Sequence, residues 1–573
     1  MARPSVSARA QAVARGDEPA DLLIRGGRVL SPAARSWITT DLAIADGVVC
    51  GWGPRDALEE LDVAGAAVVA GFVDAHMHLE STKLWVDEFV RTVLPLGTTA
   101  VAADPHEIAN VLGVAGVAGL KQAAERLPFT FGITASSCVP ASPFESSGAH
   151  LDHRDVAELM NTYGALGVAE VMNFPGVIAG DAEMLARIGA ANGRRVDGHA
   201  PLVRGRDLDA YLAAGVESDH ECTMLAEAEE KRAKGMWVFI RQGSASQNLR
   251  DLIPMVLRDG IGHVALCSDD REPDTLLSVG HLNDCINLAI QEGVSEIDAF
   301  IMATMNPAEY HGFHHLGSLG PGYQADLCIF DTIEGVRPAR VYQRGQLVAE
   351  QGHMVPGIVE SAPAPAWMRE SIHLASAPTA SSLELNLPES GNARIIGIED
   401  GSLTTKSLEG DPADGSLNAA RLAVLERHHA TGRIGLGWVS GFGLERGAFA
   451  STVGHDAHNV MAVGSRHDHG TTAMAAAIEA VGAMGGGQVV VDETGAVLAS
   501  LPLPIAGLMS DQPAAVVGEG LERLLEAARS LGVTIGAPFM HLSFLGLSVI
   551  PELRLTDQGL IDVNAFEIVD VNL

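Results

Sequence analysis

From Ala20 to Val69 the apolar positions come in short β-rich runs, such as "DLLIRGGRVL" and "DLAIADGVVCGWG", separated by Gly-Gly and Asp-Gly pairs that read as hairpin turns. A small β-sheet domain is expected there. Beyond it the rhythm changes to eight apolar, β-branched segments: "AGFVDAHMH", "TTAVAADPHE", "FTFGITASSC", "ALGVAEVMN", "RRVDGHAP", "GVESDHE", "MWVFIRQGS" and "HVALCSDD". Helical patterns separate them, for example "LWVDEFVRTVLPLG", "VAGLKQAAERL" and "DAEMLARIGAANG". Eight strand-like segments with helical crossovers, spread over roughly 200 to 250 residues, predict an α/β fold of the (β/α)8 barrel type. A third grammar begins near Ala366 and runs to Leu573. There "GGGQVVVDETGAVLASLPLPIAGL" predicts a hairpin and a loop, and "VVGEGLERLLEAARSLGV" an amphipathic helix, so an α+β domain closes the chain. Met1 to Gly16 carry Arg3, Arg9 and Arg15 and no acid, a superficial match to a transit peptide. A frayed, weakly helical extension over residues 1–19 is the expectation.

Composition narrows the function. A chain of 573 residues is too long for one ordinary core, so two or three domains are expected. Hydrophobic residues at 47% and charged residues at 19% are globular proportions. Thirty-eight basic against 72 acidic residues leave a net charge of -34, a field that repels nucleic acid and anionic membranes and favours small neutral or cationic substrates. No apolar run reaches the roughly 18 residues of a membrane span, so a soluble protein is expected. The cysteines (Cys50, Cys138, Cys222, Cys267, Cys285, Cys328) form no CxxC pair, the pattern of reduced thiols in a cytoplasmic protein.

The candidate chemistry lies where the eight segments turn polar, at their C-terminal ends, which is where barrel enzymes build their sites. Those ends supply His76 and His78, then Asp104, His106 and Glu107, then Glu170, His199, His220 and Asp269. His76 and His78 stand two residues apart on one face of a strand and can ligate one metal side by side. An isolated strand-end histidine is more often a hydrogen-bonded structural residue. Six metal-capable residues in the order His-x-His, Glu, His, His, Asp are hard to obtain from packing requirements, so His76, His78, Glu170, His199, His220 and Asp269 are the expected metal ligands.

"DAHMHLE", "DGHAP", "SDHE" and "CSDD" resemble the amidohydrolase superfamily, metal-dependent hydrolases on (β/α)8 barrels. The resemblance covers about residues 20 to 355, and it includes "TMNPAEYHGFHHLGSLGPGYQADLCIFD" and "RPARVYQRGQLVAEQG", which look like the return from the barrel to the N-terminal β domain. It implies a small β-sandwich built from both barrel flanks, residues 20–69 with 316–360, around a barrel at 70–315 and followed by the C-terminal domain at 366–573. Many two-metal members bridge their metals with a carboxylated lysine on the fourth strand. None of Lys83, Lys121, Lys231, Lys234 and Lys406 lies on that strand, and Glu170 occupies the place, which favours two divalent metals bridged by a carboxylate.

Within the superfamily, "AHMHLESTK", "ADPHEIANVLG", "AEVMNFPGVI", "DGHAPLVRG", "SDHECT", "CSDDREPDTLLSVGHLN" and "GWVSGFGLERGAFASTVGHDAHNVMAVG" resemble the bacterial adenine deaminases over nearly the whole chain after residue 20. The implied reaction, in purine salvage, is hydrolysis of adenine to hypoxanthine and ammonia by a metal-activated hydroxide attacking C6. Asp269 is the expected proton acceptor. Glu80 is the first candidate for the ring nitrogen N1, followed by His106 and Glu107. The resemblance tilts the metals to manganese or iron, with zinc allowed by ligand type, and a homodimer is the expected assembly. His455, Asp456, His458, His467, Asp468 and His469 of the C-terminal region stay open among three readings: an extra metal site, a reach over the barrel mouth in which His455 and His458 touch substrate or metal, or a self-satisfied polar loop. His78-Leu79-Glu80 matches half of the cytidine-type deaminase signature, but no P-C-x-x-C follows, so that chemistry is excluded. The glycine-rich stretch near Gly485 precedes a strand and is expected to be a turn, not a phosphate loop. The rival readings are an amidohydrolase acting on a cyclic amide or related aminopurine and, more remotely, a catalytically silent assembly scaffold.

Overall fold

Eight segments of small and β-branched residues form parallel strands in chain order: β1 (Phe72–Met77), β2 (Thr98–Ala103), β3 (Thr130–Ile133, resuming at Ala135–Ser136), β4 (Gly167–Val171), β5 (Arg195–Gly198), β6 (Ser218–Asp219), β7 (Trp237–Arg241) and β8 (Val264–Cys267). They coincide with the eight segments expected from the sequence. Met77 bridges Asp269 in parallel and the Asp269 N–H donates to the His76 carbonyl at 3.1 Å, which joins the last strand to the first and closes the barrel. Nearly every residue of these strands is buried, as parallel strands are when crossovers cover one face and packed side chains fill the other. The computed structural model describes residues 7–385, 391–467 and 469–573. Arg3 and Asp468 lie outside the described residues.

The two chain flanks of the barrel share one nine-stranded sheet. Its seam is the antiparallel pairing of Ala67–Ala70, just before the barrel, with Leu327–Phe330, just after it. Phe330 also reaches the barrel base, where Phe72 stacks at 6.0 Å on Phe300 and at 6.3 Å on Phe330. Such ring pairs add about 0.5–1.5 kcal/mol each beyond the area they bury. Two local expectations fail in this region. The Gly26-Gly27 pair is not a hairpin turn: Ala20–Ser31 is one strand, with a bulge between Ile24 and Gly27. A Cβ on Gly27 would sit 2.8 Å from Val68 Cγ2, so the glycine serves close strand packing instead. The Asp46-Gly47 turn is present as expected, with φ of 51° and 75° at its two residues. Nor is the N-terminal extension frayed within the described residues. Ala8–Arg15 is a helix capped by the Ser7 hydroxyl, with Val13 fully buried and Arg9 donating to Asp21 and Asp46 at 3.0 Å.

The C-terminal domain holds an eight-stranded sheet running from Lys406–Gly410 at one edge to Val497–Pro502 at the other. The expected hairpin is the pair Gly487–Val491 and Val497–Pro502, and the expected helix is Ala514–Ser530. The glycine-rich stretch is a turn between helix Gly470–Ala483 and that hairpin. The domain does not stand apart. One hydrophobic core runs from barrel residues such as Trp85 and Phe89 into Leu503, Leu508 and Met509, and the Trp85 N–H donates to the Ser510 carbonyl at 2.9 Å. This packing fixes the C-terminal domain over the barrel mouth. Among the described residues no helix is long and apolar enough to cross a membrane.

Candidate metal centre and active site

Alternation along β1 puts His76 and His78 on one face, with their Nε2 atoms 3.2 Å apart. His78 Nδ1–H donates to the Asp104 carbonyl at 3.0 Å, which leaves its Nε2 lone pair turned inward. Both Nε2 atoms face Glu170 Oε1 on β4, at 2.8 and 2.9 Å, and Asp269 Oδ1 beyond β8, at 3.7 and 3.4 Å. Glu170 turns its other oxygen to His199 Nδ1 at 2.7 Å, while His220 Nε2 lies 3.6 Å from Oε1. Glu170 therefore stands between two ligand sets, His76, His78 and Asp269 on one side and His199 and His220 on the other. The ligand atoms of His76, His78, Glu170 and Asp269 all lie within 4.8 Å of one another, and so do those of Glu170, His199 and His220.

These residues fit a pair of divalent cations. Bonds of about 2.1 Å from a metal to nitrogen or oxygen put neighbouring ligand atoms about 3.0–3.4 Å apart. Glu170 Oε1 faces three imidazoles, is buried, and has no partner in hydrogen-bonding geometry. A buried carboxylate oxygen without a partner is costly unless a cation meets it. Electrostatics agrees: burial works to raise the Glu170 carboxyl, but His220 and His76 overcome it and hold it well below the usual carboxylate range. Burial likewise opposes ionisation of Asp269, and His78 and Arg241 reverse the sign. His220 is pushed down to about 3 by burial and by His76, whereas His199 is raised to about 9 because Glu221 and Glu170 outweigh its burial, so without a cation part of the charge that meets the carboxylates falls to the imidazoles.

Asp269 is held from behind. Arg241 at the end of β7 donates to Asp269 Oδ2 at 3.0 Å and forks onto Glu221, with Nη2 to Oε2 at 2.9 Å. Glu221 Oε1 in turn lies 3.8 Å from His199 Nδ1 and 3.7 Å from His220 Nε2. Sequence reasoning assigned no role to Arg241 or Glu221. The available signal was a buried-type arginine at the end of an apolar strand, in "WVFIR", and an acid directly after a candidate ligand, in "SDHE".

The remaining candidates separate into two layers. His106 Nδ1 lies 3.2 Å from Asp104 Oδ2, and its Nε2 faces Asp456 Oδ1 of the C-terminal domain at 3.5 Å. Glu107 accepts from the Ser81 hydroxyl at 3.2 Å and lies 3.3 Å from His455 Nδ1. Glu80 accepts from the Ile108 N–H at 3.0 Å, and burial with Glu107 nearby pushes its carboxyl up to about 8. A small pocket, with a cavity volume of about 20 Å³, lies over the ligand cluster. His106 lines it, whereas Glu80 and Glu107 stand behind the wall. The C-terminal histidine-rich stretch divides as well. His455 and Asp456 line the cavity; His458 accepts from the Gly454 N–H at 3.1 Å, within its own loop; His467 and His469 are exposed.

Two surfaces thus face each other across the cavity. The barrel contributes the candidate ligands other than His76, with His106, Glu221, Arg241, Asp270 and Met172, and the C-terminal domain contributes His455 and Asp456 with an apolar group, Leu403, Phe544, Leu547 and Ile550. None of the four apolar residues was foreseen: Phe544, Leu547 and Ile550 belong to "HLSFLGLSVI", which reads as ordinary core, and Leu403 stands alone in the polar stretch "GSLTTK".

A closed parallel barrel with His-x-His on its first strand, a carboxylate on the fourth, histidines on the fifth and sixth and an aspartate after the eighth defines the amidohydrolase class. The amidohydrolase family model matches residues 67–361, and the model of the adenine deaminase C-terminal domain matches residues 402–567. The chain is 42% identical over 571 residues to an adenine deaminase of Desulfatibacillum aliphaticivorans, covering 98% of each chain, and 40% identical over 572 residues to adenine deaminase 2 of Carboxydothermus hydrogenoformans, again covering 98% of each. A crystal structure of an adenine deaminase aligns with 58% of this chain and 100% of its own, at 17% identity and a TM-score of 0.46. The chain belongs to the adenine deaminase family of amidohydrolases.

Proposed function

We propose that this protein hydrolyses adenine to hypoxanthine and ammonia. The observation that carries the reading is the pocket itself, in which a cluster of histidines and carboxylates on the barrel faces His455, Asp456 and an apolar surface from the domain whose family model is that of adenine deaminases. His76, His78, Glu170 and Asp269 would hold one divalent cation, and Glu170, His199 and His220 the other. When bound, such a pair supplies Lewis acidity that makes water a nucleophile at neutral pH.

The chain's own groups do the rest. Asp269 takes the proton of the attacking water and passes it to the departing amine at C6; the Arg241 fork holds it in place for both transfers. The ring nitrogen N1 must be protonated or hydrogen-bonded as C6 is attacked. His106 is better placed for that contact than Glu80, since it lines the cavity with Asp104 behind it. Glu80 and Glu107 then hold the turn that carries His106. Leu403, Phe544, Leu547 and Ile550 cover the flat face of the base and keep bulk water out.

The imidazole and carboxylate donors suit manganese or iron, with zinc as the alternative. Six buried free cysteines suit the reducing cytoplasm. The same reading divides the chain into an extension at 1–19, a β domain from 20–69 with 316–360, a barrel at 70–315 and a C-terminal domain at 366–573, assembled as a homodimer. The test is ammonia release from adenine by protein expressed with manganese, with a chelator-treated sample and with adenosine as the control substrate. Metal-dependent release from adenine alone is expected. No release with metals bound would move the substrate to cyclic amides.

A further inference from the structure

Arg554, on the strand Leu553–Thr556 of the C-terminal domain, is fully buried, and no carboxylate pairs with it among the described residues. Its guanidinium donates instead to four main-chain carbonyls: Nε to Ile550 at 2.7 Å, Nη1 to Phe544 at 2.8 Å, and Nη2 to Leu403 at 2.7 Å and Pro551 at 3.0 Å. A buried cation satisfied only by carbonyls is an expensive feature, and burial alone pulls this one down to about 9. Three of its four partners, Leu403, Phe544 and Ile550, are residues whose side chains line the catalytic cavity opposite the metal ligands.

The segment between Phe544 and Ile550 is buried. Outside its own turn it is held by the Leu555 N–H donating to the Leu545 carbonyl at 2.9 Å, by Ser548 Oγ against Ser142 Oγ at 2.6 Å, and by the Arg554 guanidinium, which alone joins both of its ends to Leu403. It follows the end of the helix Pro538–Phe544, and its internal main-chain bonds are single-turn contacts of 3.1 to 3.3 Å. Leu403 comes from a loop some 140 residues earlier in the chain and meets this segment at the same guanidinium. An apolar side chain has no charge or bond to aim it, so its place is set by the backbone beneath it. One planar fork with diverging N–H groups fixes three such backbones at once, which a lysine, with a single point of donation, does not reproduce.

We propose that Arg554 is a positioning residue that sets the apolar surface over the flat face of the substrate base. This rests on the adenine reading above. Loosening the clamp removes shape, not chemistry: the base binds less well, and the metals stay.

The experiment compares wild type, Arg554→Lys and Arg554→Met in kcat and KM for adenine, with bound metal counted and melting temperature measured in each. In the variants, KM for adenine is expected to rise about tenfold or more with kcat nearly kept, and metal content to stay at the wild-type level. Arg554→Lys keeps the charge and three donors and should lie between the other two; if Arg554→Met does not accumulate as folded protein, the lysine variant carries the test. Variants that melt earlier but keep the wild-type KM would give Arg554 a structural role only and overturn the proposal. A wild type inactive on adenine defeats the parent reading instead.

Discussion

The two surfaces that face each other across the cavity are held by opposite means. On the barrel side every functional group sits at the end of a buried strand, and its cation, Arg241, is matched by the carboxylates of Glu221 and Asp269. On the C-terminal side the two buried arginines, Arg427 and Arg554, bond main-chain carbonyls: Arg427 those of His458, Ala506 and Ser371, Arg554 those of the segments over the cavity. The first arrangement fixes charged atoms to within the tolerance of metal coordination. The second fixes backbone, and so fixes the shape that apolar side chains present. Chemistry belongs to the strand ends and shape to the clamped loops, which is how one barrel centre can serve different substrates under different covers.

The sharpest way to break the barrel side is Glu170→Gln. The amide keeps the shape but loses the charge that faces three imidazoles, and with it the anionic ligand that two cations would share. Metal content is expected to drop by at least one ion per chain and turnover by about a thousandfold or more. Full metal content with near-normal turnover would mean that Glu170 does not bridge.

A smaller effect is expected from the matching change on the C-terminal side, Asp456→Asn. Asp456 Oδ1 lies 3.5 Å from His106 Nε2 and 3.6 Å from His455 Nδ1, and these neighbours hold its carboxyl far below the usual range despite burial. Neutralising it removes the negative charge that keeps His106 aligned under the substrate. Turnover should fall about 10- to 100-fold with metal content unchanged. Metal loss in this variant would place Asp456 with the ligands and erase the distinction between the two surfaces.

The same contrast governs what the sequence disclosed. The cluster of candidate ligands was legible because strand periodicity and the polar strand ends are local: His76 and His78 share a face by spacing alone, and Glu170 stands at the same alternating phase as Val168 and Met172. Arg241 was not, since an arginine closing "WVFIR" gains meaning only from Glu221, 20 residues earlier, and Asp269, 28 residues later. Gly26-Gly27 was misread because a bulge and a turn look alike until Val68 is packed against the strand. The cover over the cavity was the least legible part. Leu403, Phe544 and Ile550 are apolar residues like those of any core, and that they border a cavity depends on contacts with a barrel several hundred residues away.

The least perturbing prediction sharpens the seam between the two surfaces. The loop after β3 is stitched to the C-terminal domain by Ser142 Oγ with Ser548 Oγ at 2.6 Å, by the Ser146 N–H donating to Asp557 at 3.0 Å and by Asn459 Nδ2 donating to the Ser146 carbonyl at 2.8 Å. Glu145 is buried within it, accepts one bond from the Ser142 N–H at 3.2 Å and leaves its other oxygen unpartnered. Burial, and then the negative charge of Asp456, raise its carboxyl from 4.5 to about 8, with Asp557 adding in the same direction. The folded state therefore binds this proton more tightly than the unfolded state. The stabilisation is complete below about pH 4.5 and is lost as the pH rises through about 8. Glu145→Gln keeps the neutral shape at every pH. Its melting temperature relative to wild type, measured on metal-loaded protein, should climb by on the order of a few degrees between pH 5.5 and pH 8.5. A difference that stays flat over that range would mean the carboxyl is already ionised, and that the seam carries a buried charge where the structure provides no cation to meet it.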